Sequence, residues 1–161
     1  MIPHHENQFD QDFGWSSWAC QPAIVVPQAE LKSSPTPLDN KRVLVLEDDP
    51  TQQLLLVQQL RKLGLSVVTA GTIGEAKQRL QENTIQLAIL DVQLPDGSGF
   101  DFCEQLDSDS AYAGLPMIIL SSMTSAEVVR RTRASGGQFF LCKPYDPNVL
   151  LTIIERALAD V

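Results

Sequence analysis

The stretch Gln86-Leu87-Ala88-Ile89-Leu90-Asp91, followed by Val92-Gln93-Leu94-Pro95-Asp96-Gly97, decides how this chain folds. A short, wholly apolar run bounded by turn residues reads as a strand buried on both faces. This one ends in a carboxylate, which is costly beside apolar residues unless something there needs a charge. Three other stretches answer it. Val43-Leu44-Val45-Leu46 runs into Glu47-Asp48-Asp49, Met117-Ile118-Ile119-Leu120 into Ser121-Ser122, and Phe139-Phe140-Leu141-Cys142 into Lys143-Pro144. Four apolar strands each deliver polar chemistry at their C-terminal ends. In an open parallel sheet, that edge is where ligands bind.

From Arg42 onward, strand and helix patterns alternate. The periodicity predicts strands at 43–47, 66–70, 86–91, 116–121 and 138–142, and helices at 50–63, 73–82, 98–107, 125–135 and 146–160. The first helix carries Leu54, Leu55, Val57, Leu60 and Leu63 and stops at Gly64. Asp49 is read as its cap, with Pro50 at its first position. The fifth carries Val149, Leu150, Ile153, Ile154, Ala157 and Leu158 as a one-sided stripe. Five βα units with right-handed crossovers give an α/β fold, a three-layer doubly wound sandwich.

The chain divides by composition. Residues 1–40 hold five of the ten prolines, and Ser33-Ser34-Pro35-Thr36-Pro37 reads as a linker. They are expected to form an extended, partly disordered segment, and residues 41–161 one domain. Phe9, Phe13, Trp15 and Trp18 leave a second reading open, that of a short docking segment with aromatic anchors. The net charge of −8 argues against autonomous binding of nucleic acid, because phosphate contacts need Lys and Arg. Arg130, Arg131 and Arg133 are read as a solvated helix face. Cys20, Cys103 and Cys142 have no metal-like spacing, and their odd number fits a reducing compartment. No signal-peptide pattern and no membrane-length apolar run is present, so a cytoplasmic protein is expected.

Glu47-Asp48, Asp91 with Leu94-Pro95-Asp96-Gly97, Ser121 and Lys143-Pro144, in that order at strand ends, resemble the receiver domain of two-component response regulators. The resemblance covers about residues 41 to 161. It implies the flavodoxin-like strand order 2-1-3-4-5. It also implies that Asp91 is a phosphoacceptor, attacking a phosphoryl group carried on a histidine to form an aspartyl phosphate. Hard oxygen ligands without His or Cys select Mg²⁺, or Mn²⁺. The family pattern assigns the ion to Asp48, Asp91 and the backbone carbonyl of Gln93, with Glu47 acting through water. Lys143 would neutralise the equatorial oxygens, and its bond to Pro144 would be cis. Ser121 would bond a phosphoryl oxygen and bias a two-state equilibrium. Phe140 falls at the family's aromatic switch position, and the reading as a plain core aromatic stays open beside it. Ser122 stands where the family usually has Ala or Gly, a mild departure. Gln93 and Met123 occupy positions that modulate phosphoryl lifetime.

The function expected is that of a stand-alone receiver in a phosphorelay, with no catalysis beyond its own phosphorylation and dephosphorylation. Its partners would be a sensor histidine kinase or histidine phosphotransfer protein docking on helix one, and an output protein on the face of helices four and five with strand five. The alternative is a pseudo-receiver that binds partners without phosphorylation. A flavin-mononucleotide binder would need a Ser/Thr/Gly-rich loop after strand one, where this chain has three acids. An aspartyl-phosphate hydrolase would carry its nucleophile after the first strand, not the third.

Overall fold

The structure is a computed structural model that describes Leu38 and residues 40–159. The expectations for residues 1–37, aromatic anchors included, lie outside the described residues. The elements run β1 (Arg42–Leu46), α1 (Pro50–Lys62), β2 (Ser66–Ala70), α2 (Ile73–Glu82), β3 (Leu87–Asp91), β4 (Gln93–Leu94), β5 (Gly97–Ser98), α3 (Gly99–Ser108), a 3₁₀ turn (Ser110–Tyr112), β6 (Met117–Ser121), α4 (Ala126–Ala134), β7 (Phe139–Cys142) and α5 (Pro147–Ala159). Five strands pair in parallel in the order β2-β1-β3-β6-β7. Counting only these five, this is the expected order 2-1-3-4-5. The hairpin of β4 and β5 was not anticipated. It is a two-residue antiparallel pairing of Gln93 with Ser98 and Leu94 with Gly97, too short to leave a periodic signal.

The strict alternation of side chains along each strand builds two cores from one sheet. Leu44, Leu46, Ala88, Leu90, Met117, Ile119 and Phe140 face one side, against Leu80 of α2, Phe102 and Cys103 of α3, and Val128 of α4. Val43, Val45, Leu87, Ile89, Ile118, Leu120 and Leu141 face the other, against Leu56 and Leu60 of α1 and the Leu150, Ile153, Ile154 and Leu158 stripe of α5. This is why the runs 43–46 of β1, 87–90 of β3 and 117–120 of β6 are apolar throughout: neither face reaches water. Cys142 is buried in the first cluster beside Phe140. Leu38 packs against the second.

Helix α1 departs from the expected stripe. Leu56, Val57 and Leu60 are buried, whereas Leu54 and Leu55 are 57% and 55% exposed. Four consecutive apolar residues wrap more than half a helical turn, and only the part facing the sheet can be covered. Among the described residues, no helix is long and apolar enough to cross a membrane.

Candidate phosphoacceptor site

The sheet register brings the strand ends to one edge. Asp91 is paired with Leu120, one residue before Ser121, and Ser121 with Cys142, one residue before Lys143. Backbone bonds continue the ladder past the strands: Glu47 N–H donates to the Ala70 carbonyl at 3.1 Å, and Lys143 N–H to the Ser121 carbonyl at 2.8 Å. Local caps then hold the loops. Asp49 accepts from Thr51 and Gln52 N–H at 2.8 and 2.9 Å, starting α1 at Pro50 as the sequence predicts. The Gln53 amide donates to the Glu47 and Ala70 carbonyls at 2.9 and 3.2 Å, bridging the ends of β1 and β2.

Asp96 does the same for α2. Its two oxygens accept from Ile73 and Gly74 N–H at 2.9 and 3.0 Å, while Thr72 accepts from Glu75 N–H at 3.1 Å. The first N–H groups of α2 are thereby satisfied from a loop more than twenty residues away in sequence. These backbone bonds hold the Asp96 carboxyl below its ordinary range. Within Leu94-Pro95-Asp96-Gly97, the acid is a helix cap.

At the centre, the Lys143 ammonium donates to Glu47 Oε2 at 2.5 Å, Asp91 Oδ2 at 3.0 Å and Gln52 Oε1 at 2.9 Å. The side chains of Lys143 and Glu47 are 12% and 3% exposed. Burial raises the Glu47 carboxyl above its ordinary range; the Lys143 hydrogen bond opposes this and the Asp91 charge adds to it. For Lys143, burial pulls the other way, and the bonds to Glu47 and Asp91 outweigh it, so its pKa is raised and the ammonium persists. Oxygens of Glu47, Asp48 and Asp91 lie within 4.8 Å of one another. Among the described residues, three carboxylates gather around the one ammonium of Lys143, an excess of negative charge. That excess and the all-oxygen donor set fit a hard divalent cation. Gln93 N–H approaches Asp91 Oδ1 at 3.4 Å.

Ser121 is buried at the end of β6, and its Oγ accepts from Met123 N–H at 3.0 Å. Phe140 is buried in β7, among Ile119 and its neighbours. The Lys143–Pro144 peptide is cis, as the resemblance implies. A surface depression beside the acids is lined by Asp48, Gln93, Leu94, Ser98, Met123 and Arg131. Of the three arginines read as a solvated face, Arg131 therefore reaches the mouth of the site. Its guanidinium lies 4.9 Å from the centre of the Phe100 ring and 3.4 Å from Asp101.

Sequence reasoning missed Gln52, whose partner lies 91 positions away, and Gly99. A Cβ on Gly99 would sit 2.0 Å from the Asp91 carbonyl oxygen. Helix α3 can start directly behind the Asp91 strand end only because that position has no side chain.

Residues 43–155 match the family model described as the response regulator receiver domain. The chain is 38% identical over 116 residues to the gliding motility regulatory protein of Myxococcus xanthus, covering 71% of this chain and 15% of that protein. It is 27% identical over 118 residues to protein PilH of Pseudomonas aeruginosa, covering 73% of this chain and 98% of that one. Among solved structures, a putative response regulator from Chloroflexus aurantiacus superposes with a TM-score of 0.72 at 26% identity, over 75% of this chain and 99% of that chain. The chemotaxis response regulator CheY4 of Vibrio cholerae does so with a TM-score of 0.69 at 29% identity, over 74% and 99%. The chain spans only 15% and 18% of the lengths of the Myxococcus protein and of protein RcaC from Microchaete diplosiphon. Receiver domains are signalling domains that bind Mg²⁺ at an acidic pocket and interact with histidine kinases or phosphotransfer proteins. With the family model matched from the start of β1 into α5, and five strands in the flavodoxin-like order of CheY-like receivers, this chain belongs to the response regulator receiver domains of two-component systems.

Proposed function

We propose that Asp91 accepts a phosphoryl group from a phosphohistidine on a sensor histidine kinase or histidine phosphotransfer protein. The observation that carries this is the Lys143 ammonium, fixed between Asp91 and Glu47 beside a third carboxylate, Asp48. An Asp91 oxygen forms a bond to phosphorus as the phosphorus–nitrogen bond of the donor breaks, its electron pair returning to the imidazole. Such a step needs positioning and charge neutralisation above all. Lys143 is placed to follow the charge as it moves from Asp91 to the phosphoryl oxygens. Ser121 would exchange its bond from Met123 N–H for one to a phosphoryl oxygen, drawing the following loop inward. Phe140, buried in β7 beside Ile119, would transmit the change to the α4, β7 and α5 face, where an output protein would dock. Asp48 and Asp91, with the Gln93 carbonyl and Glu47 in support, would hold Mg²⁺, or Mn²⁺. When bound, the ion supplies positive charge to the transferring group.

On this reading residues 41–161 form the signalling unit and residues 1–40 an appended segment. The protein acts in the cytoplasm by protein contact and catalyses nothing beyond its own phosphorylation and dephosphorylation. Incubation with acetyl phosphate and Mg²⁺ should give an acid-stable, base-labile phosphoprotein, and Asp91→Asn should give none. A wild-type chain that takes up no phosphoryl group from acetyl phosphate or a phosphohistidine protein would leave the pseudo-receiver reading in its place.

A further inference from the structure

We infer that Gln52 is a positioning residue for Lys143, holding the ammonium toward the open side of the site where the phosphoryl group arrives. The inference rests on the reading of Asp91 as phosphoacceptor and extends it to the first turn of α1.

An ammonium has three protons to place. The described acceptors of Lys143 come from three elements: Glu47 after β1, Asp91 at the end of β3, and Gln52 in α1. They differ in depth and in charge. Glu47 is buried and takes the shortest of the three bonds, at 2.5 Å. Unopposed, that contact would draw the ammonium down onto Glu47 and away from Asp91. Gln52 is exposed and accepts at 2.9 Å from the outer side. Its backbone is fixed independently, because its N–H donates to Asp49 Oδ1. The side chain therefore works from an anchored helix turn.

The amide suits this place for two reasons. It adds no negative charge to a site that already holds three carboxylates and must admit an anionic donor. Its bond to the ammonium is also weaker than one from a carboxylate. When Asp91 forms its bond to phosphorus and the donor's own bond breaks, negative charge moves outward to the phosphoryl oxygens. Lys143 can leave a neutral acceptor to follow it. A glutamate in place of Gln52 would grip the ammonium and repel the donor.

The test uses the full chain with two readouts. Gln52→Met keeps the length and helix propensity and removes the acceptor. Uptake from acetyl phosphate, in which acetate leaves with the electron pair of the broken phosphorus–oxygen bond, is followed at saturating Mg²⁺. The expected result is a rate at saturating donor about three- to tenfold lower, with half-saturation unchanged, the range for losing one hydrogen bond to a charged group at an exposed rim. The second readout is the NMR signal of the Lys143 ammonium, assigned by its loss in Lys143→Arg. It should shift and exchange faster with solvent in Gln52→Met, and slow exchange should return in Gln52→Glu, which carries an acceptor again. Unchanged signal and rate in Gln52→Met would overturn the inference, as would exchange in Gln52→Glu as fast as in Gln52→Met. A wild-type chain that takes up no phosphoryl group would instead sink the phosphoacceptor reading, and the ammonium signal would still decide the role of Gln52.

Discussion

Replacing Gly99 by alanine tests how tightly the Asp91 strand end is built against α3. The new Cβ would lie 2.0 Å from the Asp91 carbonyl oxygen, 2.9 Å from its carbonyl carbon and 3.1 Å from Val92 Cα. All three are backbone atoms, so no flexible side chain can move aside. Reaching ordinary van der Waals separation requires a displacement on the order of 1 Å of either α3 or the end of β3. Both are anchored. Gly99 N–H donates to the Val92 carbonyl at 2.9 Å, Val92 N–H to the Leu120 carbonyl at 3.2 Å, and Phe100 and Phe102 are buried in the core. Overpacking a well-filled interior costs about 1–3 kcal/mol, and a clash against backbone belongs at the upper end. The gain from alanine in a helix is at most about 1 kcal/mol, and smaller at the first helical position. The net cost is about 2 kcal/mol. For a domain of this size, that lowers Tm by roughly 6–12 °C.

Two measurements separate this from a generic loss of stability. Thermal unfolding by circular dichroism should show the drop in Tm. Phosphoryl uptake from acetyl phosphate, measured well below the unfolding range, should fall at least tenfold, because the displaced backbone carries the Asp91 carboxylate with it. A variant with Tm within a degree or two of the wild type would refute the close-approach argument. Lower Tm with normal uptake would show that α3 alone had yielded.

Three further outcomes are expected. Asp48→Ala removes the exposed member of the carboxylate cluster, so a Mg²⁺ titration followed by NMR should show binding weakened beyond the range that saturates the wild type; unaltered binding would move the metal elsewhere. Lys143→Ala should still take up phosphoryl, though more slowly, while affinity for an output partner no longer responds to phosphorylation; a normal response would exclude Lys143 from the switch. Asp96→Ala removes the cap on α2, and its effect should depend on pH with a fixed sign. The folded carboxyl is held low by Ile73 and Gly74 N–H, so its contribution is present above the ordinary carboxylate range and is lost as pH falls through the lowered folded value. Urea midpoints of variant and wild type should therefore differ at neutral pH and converge on acidification. A constant gap across pH would assign the effect to something other than the ionised cap.

The architecture was legible because its signals are local. Runs such as Leu87 to Leu90 and Met117 to Leu120 declare strands covered on both faces, and in an open sheet of this kind their polar endings share one edge. Asp49 followed by Pro50 marks the start of α1 in two adjacent letters. What escaped was relational. Nothing near Gln52 in sequence announces Lys143, 91 positions away, and nothing about Gly99 announces the Asp91 carbonyl, because that approach exists only once the β4–β5 hairpin turns the chain back on the end of β3. The stripe on α1 failed for a related reason. Leu54 and Leu55 are as apolar as Leu56, and only the position of the sheet decides which of the three is covered.

Glu47 and Asp48 show how one step along the chain divides two roles. The Glu47 N–H still donates to the Ala70 carbonyl, so the strand geometry persists through this residue and the carboxylate lies under the sheet edge, bonded to Lys143. The next residue leaves the ladder, and Asp48 faces the surface depression with Met123 and Arg131. The buried acid has traded water for the lysine and carries a raised pKa for it. The exposed one keeps its hydration. A pair of identical environments could not do both: two buried acids would overwhelm one ammonium, and two exposed acids would leave Lys143 with Asp91 as its sole anionic anchor among these groups. The strand end supplies the asymmetry because Glu47 is still held by the ladder bond to Ala70 and Asp48 lies beyond it. Reversing the two residues would keep the composition and exchange side-chain lengths. Lys143 would then face a carboxylate one methylene shorter, and the mouth of the site one methylene longer, so both contacts would have to be remade.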